Sequence, residues 1–189
     1  MNRDQTILEH EAFRNILQAL SRPGTVHEVS RSVSGREPAL ELVASCLLDA
    51  ESSIASLRDD DAQLVTEICR LTGCVRTAPE LADFVLAGSG ATMGRISRLR
   101  TGDPDYPDQG ATVIYLVDEI RPEGGAWSWK GPGIQTEIRP DIDGLGELEL
   151  GSLRDINHSY PLGLDAIFLD RLGKIAALPR STRIEESRP

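Results

Sequence analysis

Lysine is almost missing from this chain: of 20 basic residues only Lys130 and Lys174 are lysines. Acidic residues outnumber basic ones by 30 to 20, so the formal net charge is −10 and the sequence pI about 4.8. Nucleic acid and anionic membrane surfaces both select a basic face, and neither is expected as a partner here. Arginine, which supplies nearly all the basic charge, suits bidentate carboxylate or phosphate contacts and protein interfaces. The shortage of lysine also bears on pyridoxal phosphate, which needs a Schiff-base lysine. Lys130 precedes a turn and Lys174 begins a strand-like run, and neither stands in a recognisable cofactor context. No cofactor is expected.

Cysteine is scarce as well. Cys46, Cys69 and Cys74 are odd in number and contain no C-x-x-C pair. Cys46 lies in an apolar helical run and reads as core. Cys69 and Cys74 stand five apart across the expected end of a helix. His10, His27 and His158 are scattered singly, so no metal site is expected. No apolar run reaches membrane-spanning length, and no basic segment followed by an apolar one opens the sequence. These absences point to a soluble, cytoplasmic protein. A G-x-S-x-G elbow and a Cys/His pair at suggestive spacing are both lacking, so the chain is not an obvious catalyst.

What is present is a regular alternation of helix-like and strand-like stretches, which gives an α/β class with a mixed sheet. The 189 residues suffice for one domain with a substantial core, with residues 1–9 and 184–189 as flexible tails. Phe13, Ile16, Leu17 and Leu20 recur at helical spacing over His10–Leu20. That helix stops at Ser21-Arg22-Pro23-Gly24, and Thr25–Val29 alternates as a strand. Glu37–Ala50 is the next helix, Ser53–Leu57 a short strand. Asp59-Asp60-Asp61 opens a helix that ends at Gly73. Leu81–Leu86 reads as a buried strand. Gly88-Ser89-Gly90-Ala91-Thr92-Met93-Gly94-Arg95 then invites a dinucleotide-loop reading, but its third glycine falls one place late for G-x-G-x-x-G. Ala111–Val117 is apolar on both faces and reads as the central strand. Asp141–Gly146 reads as a loop and Glu147–Ser159 as a helix. Asp165–Leu169 and Lys174–Leu178 form a terminal strand pair, followed by a polar tail from Glu185.

The chain is organised around Lys130-Gly131-Pro132-Gly133-Ile134. Trp127-Ser128-Trp129 before it and Gln135–Ile138 after it both alternate as strands do. Pro132 fixes φ and has no N–H, whereas the flanking glycines can take positive φ. The turn is stiff in the middle, permissive at its ends, and bare enough for close approach. Read plainly it is a β-turn. Read functionally, its backbone forms a surface for a partner or an anionic ligand, with Arg22 beyond Gly24, or Arg180, nearby. Arg22 itself is either a residue that binds the last carbonyls of its helix or an anion or subunit contact. Asp49, Asp83 and Asp165 are available carboxylates, and none has a catalytic role assigned. If Gly133 takes positive φ, alanine there should cost on the order of 1 kcal/mol.

Together the punctuating turns resemble one family. Phe13-Arg14 with Leu17, then Ser21-Arg22-Pro23-Gly24-Thr25, resembles the opening of the H subunit of carbon–phosphorus lyase, the PhnH family. So do Leu47-Leu48-Asp49, Ala82-Asp83-Phe84, Gly110-Ala111-Thr112-Val113, Gly131-Pro132-Gly133-Ile134, Pro161-Leu162-Gly163-Leu164-Asp165 and Pro179-Arg180-Ser181-Thr182-Arg183. Each piece is weak alone; their order across nearly the whole chain is specific. Leu164 and Ser181 depart conservatively from an expected Ile and Thr. The resemblance implies a three-layer fold similar to a shortened pyridoxal-phosphate-dependent transferase domain without the cofactor. It implies a homodimer that joins the G, I and J subunits in phosphonate catabolism. There the complex would transfer phosphonate to the ribose C1 of ATP with loss of adenine, giving ribose 1-phosphonate 5-triphosphate, before radical cleavage in the J subunit. The binding or interface candidates, taken from the bare turn backbone and the arginine-rich composition, are Arg22, Gly24, Lys130, Gly131, Pro132, Gly133, Asp165 and Arg180. A stand-alone phosphate or phosphonate binder and a purely structural docking dimer are the alternatives.

Overall fold

The computed structural model describes residues 3–33 and 35–186, and only the backbone of Arg3. Helix α1 spans Arg3–Ser21. Strand β1 (His27–Glu28), helix α2 (Arg36–Leu47), strand β2 (Ser53–Ser56), helix α3 (Ala62–Thr72), and strands β3 (Val75–Arg76), β4 (Phe84–Ala87) and β5 (Thr112–Leu116) follow. Strands β6 (Glu119–Arg121), β7 (Trp127–Lys130) and β8 (Asp141–Asp143), helix α4 (Glu149–Asn157), and strands β9 (Asp165–Leu169), β10 (Lys174–Leu178) and β11 (Arg183–Glu186) complete the chain.

Seven strands form one sheet in the order β1-β10-β9-β5-β4-β2-β3. The block from β9 to β3 is parallel, and β10 and β1 are added antiparallel. The expected α/β class with a mixed sheet is therefore observed, and β5, the strand apolar on both faces, is its centre. Successive residues divide between two cores, as strand pleating requires. Ile54, Leu86, Ile114, Leu116, Ile167 and Leu169 face helices α1, α2 and α3. Ala55, Val85, Val113, Tyr115, Ala166 and Phe168 face the other way, toward Trp129, Leu153 and Ile184. That second layer is α4 with two ribbons, β7–β11 and β6–β8.

Several expectations need correction. Residues 3–9, expected as a flexible arm, are helical, and Ile184–Glu186 are strand rather than tail. Met1, Asn2 and Ser187–Pro189, the remainder of those tails, lie outside the described residues. Helix α1 buries only half of the stripe its spacing suggested: Ile16 is buried and Leu20 packs against the core. Ala12, Ile16 and Ala19 face the sheet, while Phe13 and Leu17 are 47% and 48% exposed. Small residues let the helix sit close to β10. Gln135–Ile138 is not a strand: Ile138 makes only an isolated bridge to Trp129, and the real partner of β7 is β11. Asp141–Asp143 is a strand, not a loop, because Arg121 gathers Glu119, Asp141 and Asp143 around β6–β8. After Gly88–Arg95 only a single 3-10 turn follows, Ile96–Arg98. The dinucleotide reading thus loses the helix N-terminus it needs. Gly90 is there to let the Gly144 carbonyl approach the backbone.

Among the described residues no helix is long and apolar enough to cross a membrane, and no group of three His, Cys, Asp or Glu side chains is placed to hold a metal ion.

Candidate functional site

The Gly-Pro-Gly turn does not stand alone. Gly133 has φ 82°, and its backbone lies against the end of α1: a Cβ there would run into the Ser21 carbonyl oxygen and sit 3.0 Å from Pro23 Cδ. Gly24 (φ 74°) is pressed against Ile138 and Trp129 in the same way, while its N–H donates to the Ala177 carbonyl on β10, 3.0 Å away. Two turns 110 residues apart in sequence, that is 133 less 23, are thus packed backbone to backbone. Trp129, fully buried, lies against Gly24 and rests on Phe168 with 6.2 Å between ring centroids.

Between the two turns runs a groove of about 500 Å³. Arg22, Pro23 and Thr25 form one wall; Gly133 to Ile138 form the other. Arg22 is exposed and its guanidinium has no ion-pair partner among the described residues. Its carbonyl accepts from Thr25 N–H and Thr25 Oγ1 (2.7 Å), so the backbone on that side is already fixed. On the far wall Ile134 N–H donates to Gly131 and Ile138 N–H to Trp129, but the N–H groups of Gln135, Thr136 and Glu137 have no acceptor among the described residues. A free guanidinium faces a loop with unpaired donors: this arrangement can take a carboxylate, a phosphate-like group or a partner's carbonyls. Pro132 keeps the turn stiff. Lys130 lies beyond it, its ammonium 3.1 Å from Glu137 and 4.0 Å from Glu185. Arg139 and Lys130 together hold the Glu137 carboxyl below its ordinary range.

His27 borders this region, with Nε2 2.8 Å from Thr25 Oγ1. Burial, and then the charge of Arg22, push its pKa below the ordinary value. A histidine depressed in the folded state resists protonation there and accepts it when unfolded. Stability is therefore full above pH about 6.5 and falls as the pH drops through that value toward the folded pKa. The His27 ring titration followed by NMR should show a midpoint below 6.5. In Arg22→Gln the midpoint should rise, and an unmoved midpoint would mean that Arg22 sits too far away to act.

Of the eight residues singled out from the sequence, Arg22 and Gly133 line the groove, and Gly24, Lys130, Gly131 and Pro132 belong to the turns on either side of it. Asp165 and Arg180 do neither. Arg180 Nε donates to Asp165 Oδ2 (3.0 Å), Nη1 to the Pro107 carbonyl (2.7 Å) and Nη2 to the Gly110 carbonyl (3.2 Å). Its backbone N–H donates to Asp165 Oδ1 (2.7 Å). With all three guanidinium nitrogens donating and its side chain 13% exposed, Arg180 acts as a clasp between its own turn, the start of β9 and the segment before β5. The other carboxylates are also engaged. Asp83 accepts from the N–H and hydroxyl of Ser53 and pairs with Arg100; although burial works against it, these partners hold it below the usual carboxylate range. Asp49 accepts from Glu51 N–H and the Ser52 hydroxyl in the turn after α2.

Sequence reasoning included Thr25 in its turn but missed His27 and the unpaired donors of Gln135–Glu137. Nothing local points to them, because they become neighbours only when α1 packs on β10.

The sequence profile of the bacterial phosphonate metabolism protein (PhnH) family matches residues 3–185. A protein of Stutzerimonas stutzeri, described as a C–P lyase subunit protein, HtxG, is 34% identical over 176 residues, covering 93% of this chain and 85% of its own length.

Proposed function

The chain belongs to the PhnH family of bacterial phosphonate metabolism proteins, and we propose that it is a subunit of a carbon–phosphorus lyase complex. What carries this reading is the match over residues 3–185, supported by the likeness to a C–P lyase subunit protein along 93% of the chain. The whole of that length is taken to act as one domain. Its partners are a second copy of itself and the G, I and J subunits. Its contribution is to the transfer of phosphonate to the ribose C1 of ATP with release of adenine. The layered fold fits a transferase domain reduced to a scaffold, in the manner of the pyridoxal-phosphate-dependent enzymes but without the cofactor. The engagement of Asp49, Asp83 and Asp165 in turn and strand contacts agrees with a supporting rather than a catalytic role. The outer face of α1, with Ile7, Phe13 and Leu17 exposed, is apolar where an acidic protein must overcome its own charge to self-associate. The groove between Arg22 and Gln135–Glu137 is the surface used by a partner or an anionic ligand.

Deletion of the gene should abolish growth on methylphosphonate as the sole phosphorus source and leave growth on phosphate intact. A tagged chain co-expressed with the other subunits should retain them through affinity and size-exclusion steps. Growth on methylphosphonate without the gene, or a chain that elutes alone, would sink the proposal.

A further inference from the structure

Cys69 and Cys74 stand apart from the groove, beyond the other end of the sheet. Cys69 lies in the last turn of α3, and Gly73 then takes φ 80° and turns the chain back. Its N–H closes the helix on the Cys69 carbonyl at 2.9 Å. This left-handed turn swings Cys74 under the helix end, where it is 5% exposed, its N–H donating to Thr72 Oγ1. The two Sγ atoms end 3.6 Å apart. The chain then enters β3, the edge strand. Cys69 is half-buried and Cys74 buried, so Cys69 is the more exposed member of the pair. Cys46 has no such neighbour: its thiol donates to the Glu9 carbonyl at 3.4 Å.

We propose that Cys69 and Cys74 are a dithiol that a small-molecule disulfide converts to an intrachain disulfide, with Cys69 as the attacking thiol and Cys74 as the resolving one. The Cys69 thiolate attacks a sulfur of the small disulfide, displacing one thiolate and forming a mixed disulfide. The Cys74 thiolate then attacks Cys69 Sγ and displaces the second thiolate. Two protein thiols are oxidised, one small disulfide is reduced to two thiols, and the two protons pass to the released thiolates. The sulfurs need to close from contact distance to a bond of about 2.05 Å. The residues that must move are the end of a helix and the approach to an exposed two-residue edge strand. Burial, with Cys74 beside it, holds the Cys69 thiol up at about 11. The first step is therefore slow at neutral pH and quickens as the pH rises, and the reduced pair persists where reductant is in excess. The product ties α3 to the edge of the sheet.

The test is incubation of the reduced full chain with oxidised glutathione at pH about 9, near ordinary thiol titration, followed by intact mass and peptide mapping. The parent is expected to become two hydrogens lighter, with Cys69 and Cys74 in one linked peptide pair and Cys46 free. Cys74→Ser is expected to stop at a glutathionyl adduct on Cys69. Parent protein that keeps three free thiols, that carries glutathione stably on Cys69, or that links through Cys46 overturns the proposal. Should Cys74→Ser fail to fold, the peptide map of the parent still decides between these outcomes.

Discussion

Arg180→Ala is expected to lower stability by about 3 kcal/mol, the usual cost of removing one partner from a largely buried ion pair. For a chain of this size that is a fall in Tm of roughly 6–12 °C. The reason lies in what the guanidinium joins. It binds the Asp165 carboxylate at the start of β9 and the Pro107 and Gly110 carbonyls just before β5. Removing it leaves Asp165 with the residue-180 N–H alone, strands the Gly110 carbonyl, and leaves the Pro107 carbonyl only the Gly110 N–H at 3.3 Å. Gly110 has no room for a side chain because Arg180 Nη1 occupies that space. Arg180→Lys keeps the charge but offers one compact head to acceptors that a planar fork reaches from separate nitrogens. It should recover less than half of the loss. Thermal melts of the three proteins are sufficient. A variant within about 2 °C of the parent would mean that the clasp contributes less than 1 kcal/mol and that Arg180 has a different purpose.

That outcome also explains how far the sequence could be read. Both members of the clasp stand in signature turns, Pro161–Asp165 and Pro179–Arg183, and turns are where function concentrates. Reasoning from turns put Arg22 and Arg180 on the same footing, but Arg22 is exposed on the groove and Arg180 is largely buried against Asp165, because burial separates the two and burial is not local. The same holds for Asn157. Its side chain exchanges hydrogen bonds with the Leu164 backbone at 2.8 and 3.0 Å, so Gly163-Leu164 is held in place and not offered to a ligand. Strands β5, β9 and β10 were legible since alternate residues sort into the two cores over five residues each. Strand β7 was legible too, but not its partner: β11 begins 53 residues after β7 ends (183 less 130), and only tertiary packing joins them. Strand β8 was hidden by its composition, since Asp-Ile-Asp next to a glycine reads as a loop until Arg121 neutralises it.

A buried carboxylate is another feature that the sequence conceals. Glu149 opens α4, where a negative charge suits the helix N-terminus, and nothing in its neighbourhood marks it as core. Yet it is 4% exposed and accepts from Thr92 N–H (2.8 Å), the Thr92 hydroxyl and the Tyr115 hydroxyl (2.8 Å). Burial, and then the charge of Glu149, push the Tyr115 phenol well up. This cluster ties the Gly88–Arg95 loop to α4 across the second core. Within that loop Gly90 lets the Gly144 carbonyl come close and Gly88 leaves room for the Asp61 carboxylate, so two of its glycines serve packing.

Gly133→Ala is expected to be more damaging than a left-handed glycine alone implies. Positive φ costs about 1 kcal/mol. The added Cβ would also overlap the Ser21 carbonyl oxygen and crowd Pro23 Cδ at 3.0 Å, and these belong to a turn that Gly24 anchors on β10. Neither turn can yield by a rotamer change, so the overlap adds about 1–3 kcal/mol, as overpacking does. The sum is roughly 2–4 kcal/mol, and the groove opens as the turns separate. Loss of complex assembly in Gly133→Ala would then follow from either a lost contact or a deformed turn. Arg22→Glu separates them. Arg22 is exposed and bonded only through its backbone, so its replacement should shift stability by no more than about 0.5 kcal/mol. It reverses the one unpaired charge in the groove. If the groove receives a carboxylate, a phosphate-like group or an acidic partner surface, Arg22→Glu should melt like the parent, fail to retain the other subunits or support growth on methylphosphonate, and so reproduce the Gly133→Ala defect without its instability. If Arg22→Glu assembles and grows like the parent, the Gly-Pro-Gly element is a structural joint between α1 and the second core, and the contact with partners lies on another face.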